Sequence, residues 1–160
     1  MTTFLLIVSR AEGLDGKWVP AKEMASRRLE AKQWGLYSNT RCRREIAVGD
    51  EIIVYLAGTG LDTRHFVAKA VIAIINRTVK EYKGDGGDVL TDRPTSILEL
   101  EHIEWFKNPV SIYSIKEKLN FIPKNNPKWG CVLQGGARKI TQTDRDLIVS
   151  SQKHPVKNRP

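Results

Sequence analysis

At 160 residues the chain can bury its own core, and 41% hydrophobic against 28% charged residues excludes wholesale disorder. No run approaches the roughly 18 uninterrupted apolar residues of a membrane span. The formal net charge of +8 is concentrated in two places: 22–44, with seven basic and two acidic side chains, and the all-basic tail 153–160.

These features predict a soluble domain over 1–152 and a basic disordered tail over 153–160. Phe4–Val8 is too short for a signal peptide and lacks its flanks. Two cysteines, Cys42 and Cys131, make no disulfide framework and have no metal-ligand spacing, which fits a reducing cytoplasm and no metal. A cationic cluster of this kind suits a phosphate backbone. It suits a solvated helix face equally well, so charge alone does not decide the partner.

In chain order, Thr3–Ser9 is a β-branched, apolar run that reads as a buried strand. Gly13 and Gly16 open a loop. Pro20 fits a helix first turn, and Ala21, Met24, Ala25 and Leu29 recur at helical spacing up to about Gln33. Trp34-Gly35 then reads as a loop, and Asn39 as the N-cap of a short basic helix over Thr40–Ile46. Glu51–Ala57 and Phe66–Ile75 are two further strands, joined through Gly58 and Gly60. Asn76–Pro94, with three glycines and several acids, reads as a long exposed loop, and Ile97–Trp105 as a half-buried strand. A short amphipathic segment at Ile112–Leu119 leads into an irregular stretch, Phe121–Gly136. Thr143–Asp146 resembles a capping box for a final helix through about Ser150. Four or five strands interleaved with short helices predict an α+β domain with a curved, largely antiparallel sheet or small barrel.

Catalytic signatures are sparse. His65, His102 and His154 stand apart without a metal-binding or base–nucleophile context. Cys42 lies among arginines that could lower its thiol pKa, yet no histidine or resolving cysteine is near in sequence. The glycine pairs lack the lysine and Ser/Thr of a phosphate loop. Asp15, Glu30 and Lys32 have the residue types of a metal-dependent nuclease, but Glu30 and Lys32 fall on different faces of the predicted helix. The sequence reads as a binder rather than a catalyst.

Tryptophan supplies the remaining signal. Trp34 and Trp129 each precede a glycine, an arrangement that can wall a slot for a flat ligand or simply cap a barrel as core. In order come Val8-Ser9-Arg10, Trp34-Gly35-Leu36, Val48–Tyr55 (VGDEIIVY), Leu119–Ile122, Trp129-Gly130 and the Asp144–Ile148 helix. This order resembles the EVE domain family, a PUA-like branch related to YTH and ASCH domains, over nearly the whole chain. The basic helix before Trp34 and the loop 76–94 are longer than the family pattern.

The resemblance implies a PUA-like small curved β-barrel of five or six strands flanked by short helices. It also implies non-catalytic binding of a modified base flipped from nucleic acid, modified cytosine in DNA above all, such as 5-methylcytosine or 5-hydroxymethylcytosine. An RNA reader or a small nuclease is the alternative. Carried over by position, Ser9 and Arg10 would contact a base edge or phosphate, Trp34 would stack, and Gly35 and Leu36 would lie beside it. Tyr37, Ser38 and Asn39 would read the edge, and Trp129 would help to close the pocket. Arg27, Arg28, Lys32, Arg41, Arg43 and Arg44 would hold the nucleic-acid backbone. No cofactor is implied, and a nuclease on a separate chain is a partner the resemblance leaves open. Trp34→Ala is expected to abolish the preference for a modified base while leaving the fold intact.

Overall fold

The computed structural model describes residues 1–60, 62–79 and 81–153. The tail expected at 153–160 lies outside them, apart from Lys153.

Strands β1 (Thr3–Val8) and β5 (Glu51–Leu56) are buried at every position, as their unbroken apolar runs require. They pair in parallel at the centre of a six-stranded sheet. Antiparallel partners complete it: β6 (His65–Asn76), β7 (Ser96–Ser111) and β4 (Gln33–Leu36) beyond β5, and β8 (Ala137–Ile140) beside β1. The period-two geometry of β1 and β5 splits their side chains between two cores. Phe4, Leu6, Val8, Ile52, Val54 and Leu56 face one core, whereas Leu5, Ile7, Ile53 and Tyr55 face the other.

Helix α1 (Ala21–Ala31) covers the first core with Ala21, Met24, Ala25 and Leu29, the four residues whose spacing predicted it. Pro20 sits at its N-cap, and Lys32, at φ +56°, closes it by donating its N–H to the Leu29 carbonyl at 3.2 Å. The second core lies under α2 (Ile112–Ile115) and α3 (Gln142–Lys153). Arg145 grips the buried Glu51 with both arms: Nε donates to Oε1 at 2.7 Å and Nη2 to Oε2 at 3.0 Å. Thr141, rather than Thr143, accepts the Asp144 N–H as the cap of α3. The described residues thus form a curled half-barrel with three α-helices, the α+β class that the resemblance implied.

Four local expectations change. Trp34-Gly35 is not in a loop, because β4 pairs with Ile97 and Leu98 of β7. No helix forms over 40–46: Cys42 stands at φ +60°, and Gly135 takes the Arg41 N–H at 2.9 Å, so one turn forms and stops. The segment 76–94 is not wholly exposed, since Asp85, Val89 and Pro94 are buried beneath it. Strand β7 runs on past Trp105 to Ser111, bending at His102 (φ +51°). Pro109 is tolerated there because β4 covers only the first residues of that edge. A two-residue ribbon, β2 (Ala11–Glu12) with β3 (Trp18–Val19), was not legible in the sequence.

Candidate nucleic-acid interface

The end of β1 delivers Ser9 and Arg10 out of the sheet, both exposed. Beside them, β4 contributes Trp34 and Gly35, the following turn Tyr37, Asn39 and Thr40, and α1 contributes Arg28. Glu12 and Trp18 of the ribbon, with Leu90, Thr91 and Asp92, line the same cavity, which measures about 500 Å³. That volume lies within the range of small-ligand pockets.

Trp34 is not the open stacking plate expected from the sequence. It is 3% exposed and belongs to the first core, with the Arg28 guanidinium 4.8 Å from its ring centre. The cavity opens beside it, so the indole serves as floor. The ring that faces solvent is Trp18, 52% exposed, with the Arg10 guanidinium 4.1 Å from its centre. Trp34→Ala therefore cannot leave the fold untouched.

A buried network fixes this floor. Asp85, 4% exposed, accepts from Arg28 Nε at 2.8 Å, from the Tyr37 hydroxyl at 3.0 Å and from the Tyr82 hydroxyl at 3.3 Å. The Tyr82 hydroxyl in turn accepts the Gly35 N–H at 3.1 Å. Gly35 is glycine for want of space: a Cβ there would lie 3.0 Å from the Pro94 Cβ and 3.2 Å from the Tyr82 ring. Burial, with the Asp85 charge adding to it, pushes the Tyr82 phenol up to about 12. Tyr37 moves upward for the same reasons. Both phenols stay neutral and can donate to the carboxylate.

Most of the expected ligand contacts converge here: Ser9, Arg10, Trp34, Gly35, Tyr37 and Asn39 all line the cavity. Leu36 does not; it is buried in the first core. Ser38 faces an adjoining hollow instead. Trp129 stands elsewhere, lining two separate cavities. Glu12, Trp18 and Asp92 went unnoticed because nothing local in the sequence marks a two-residue ribbon or a folded-back loop as a pocket wall.

The expected backbone contacts divide similarly. Arg27 is taken by Glu23, Asp88 and the Asp85 carbonyl, and Arg28 by Asp85, so their guanidinium groups are engaged within the protein. Lys32 is exposed at the end of α1. Arg41, Arg43 and Arg44 line a hollow of about 490 Å³ that shares Asn39 and Thr40 with the first cavity. Arg43 and Arg44 then meet Arg77, a residue the sequence did not single out, around a smaller hollow of about 190 Å³. Three adjoining hollows thus run from Trp34 to a trio of arginines.

No protein-family model and no curated protein matches the sequence. Solved structures do match by shape. The DUF55 domain of human thymocyte nuclear protein 1 superposes with a TM-score of 0.61 at 15% identity, covering 96% of this chain and 99% of that one. Human THYN1 protein in complex with DNA containing 5-methylcytosine gives 0.59 at 14%, covering 100% of both chains. The N-terminal domain of Staphylothermus marinus McrB gives 0.58 at 10%, covering 92% of this chain and 93% of that one. At these identities the likeness speaks for the fold alone, and that fold is the one the resemblance to the EVE domain family implied.

Proposed function

We propose that the protein reads a modified base of a nucleic acid without catalysing a reaction, and that the base is a modified cytosine in DNA. The observation that carries this reading is adjacency. A cavity floored by Trp34 and edged by Trp18 shares Asn39 and Thr40 with the Arg41, Arg43 and Arg44 hollow.

Flipping a base costs a few kcal/mol, which stacking and edge hydrogen bonds return. Trp18 offers the stacking face. Asp92 and Glu12, both cavity-lining carboxylates, offer acceptors for the exocyclic amine that distinguishes cytosine from thymine. Ser9 and Asn39 can meet the remaining edge, while the arginine track holds phosphates that carry no sequence information. The DNA complex of the similarly folded human protein supports the choice of cytosine and of DNA. We place this activity in the cytoplasm, where the unpaired Cys42 and Cys131 stay reduced, with a separate nuclease as the partner such a reader would direct.

The test is a binding panel of single- and double-stranded DNA and RNA carrying cytosine, 5-methylcytosine or 5-hydroxymethylcytosine. Ser9→Ala combined with Asn39→Ala, both exposed positions, should keep the fold and lower the affinity for the modified-cytosine strand about tenfold, one to two edge hydrogen bonds' worth. A variant that binds that strand as tightly as the parent contradicts the assignment of these residues. Tighter binding to RNA would move the reading to RNA, and strand cleavage by the protein with magnesium would replace it by a nuclease.

A further inference from the structure

Trp129, expected to close the first cavity, instead borders a larger one of about 690 Å³. The two cavities share Ile7, Ser9 and Gly136. These residues form a thin partition, in which the Ile7 N–H donates to the Gly136 carbonyl at 2.8 Å.

The second cavity has its own chemistry. Tyr55 is 2% exposed, and its hydroxyl makes no hydrogen bond to any described residue while the side chain lines the cavity. Burial raises this phenol, so it stays a neutral donor and acceptor for whatever enters. At the rim, Tyr113 and Trp129 meet edge to face with ring centres 5.7 Å apart. Two cations attend them: the Arg64 guanidinium, 5.6 Å from the Tyr113 ring and hydrogen-bonded to the Gly58 carbonyl and the Tyr113 hydroxyl, and, from an adjoining hollow, Lys116 Nζ 5.0 Å from the Trp129 ring. Glu117 pairs with Lys116 at 3.9 Å, a solvent-exposed salt bridge of little strength. Aromatic faces, adjacent cations and an inward polar group suit a flat base with an attached phosphate.

We infer that this cavity holds the nucleotide next to the flipped base, so that the bound strand straddles the Ser9–Gly136 partition with one base on each side. The inference rests on the reading of the Trp34 cavity as a base site. Tyr55 then supplies a hydrogen bond to the neighbouring base, and Trp129 a stacking or edge contact. Recognition extends over a dinucleotide step, and the protein prefers certain bases beside the modified one.

The experiment compares single-stranded oligonucleotides whose modified base has an intact or an abasic neighbour on either side, by fluorescence anisotropy. One abasic neighbour should cost the wild type about tenfold in affinity, the size of one lost stacking contact. In Trp129→Ala the same replacement should cost less than about twofold, with the preference for the modified base retained. Should Trp129→Ala fail to fold, Tyr55→Phe keeps the ring and should shrink the abasic penalty about threefold, one hydrogen bond's worth. An abasic penalty that is absent from the wild type, or equal in wild type and variants, overturns the proposal. So does saturable binding of free deoxynucleoside monophosphate that leaves the oligonucleotide in place, which would make the cavity a site for free nucleotide. An abasic penalty removed by Trp129→Ala supports the proposal even where the wild type ignores the base modification, an outcome that sinks the first cavity's reading alone.

Discussion

Trp34 carries structure and function together, and the two can be separated by measurement. Its ring is packed among Met24, Leu36 and other first-core residues. Trp34→Ala should therefore destabilise the fold by about 3–5 kcal/mol, read from the midpoint of denaturant unfolding. A loss below about 1 kcal/mol would mean that the ring is not core. Much of this site was legible because Ser9-Arg10 and Trp34–Asn39 are short, contiguous runs with distinctive composition. What supports them was not. Arg28 and Asp85 meet across 57 positions and Gly35 and Tyr82 across 47, and no local pattern announces such pairs. The same blindness made Arg27 and Arg28 read as free cations, when carboxylates far along the chain already neutralise them.

At the scale of elements, the segment 81–95 works as a clasp that fastens the pocket wall to β4. Its closure depends on neutral phenols, and its pH dependence follows. Tyr82 titrates at about 12 in the folded protein against about 10 in the unfolded chain, and Tyr37 and Tyr55 are likewise raised. The unfolded state thus releases protons first, so stability is retained below pH 10 and falls as pH rises through 10 towards 12. Alkaline unfolding should start in that window and move to higher pH in Tyr82→Phe; phenolate absorbance beginning at an ordinary pKa for all of these tyrosines would contradict it. Elements with strong internal signals were read correctly from sequence: β1, β5 and α1 need only their own periodicity. Elements defined by partners were not. Strand β4 exists because Ile97 and Leu98 of β7 lie beside it. The helix expected over 40–46 yields to the left-handed Cys42 and to the Gly135 carbonyl.

For the whole molecule, the decisive feature is how charge is arranged around one opening. The sequence located the excess of basic residues, but folding sorts it: α1 spends its arginines on the clasp, and the 41–44 turn keeps its own beside Arg77. If base reading and backbone holding are separate functions of adjoining hollows, they respond to different perturbations. Affinities for otherwise identical modified and unmodified oligonucleotides, measured across salt concentrations in the wild type and in an Arg43→Glu, Arg44→Glu, Arg77→Glu variant, test this directly. The account predicts a constant preference for the modified strand at every salt, and a logarithmic salt slope about 2–3 smaller in the variant for both strands. Equal affinity of the wild type for the two strands throughout, or an unchanged slope in the variant, would contradict it.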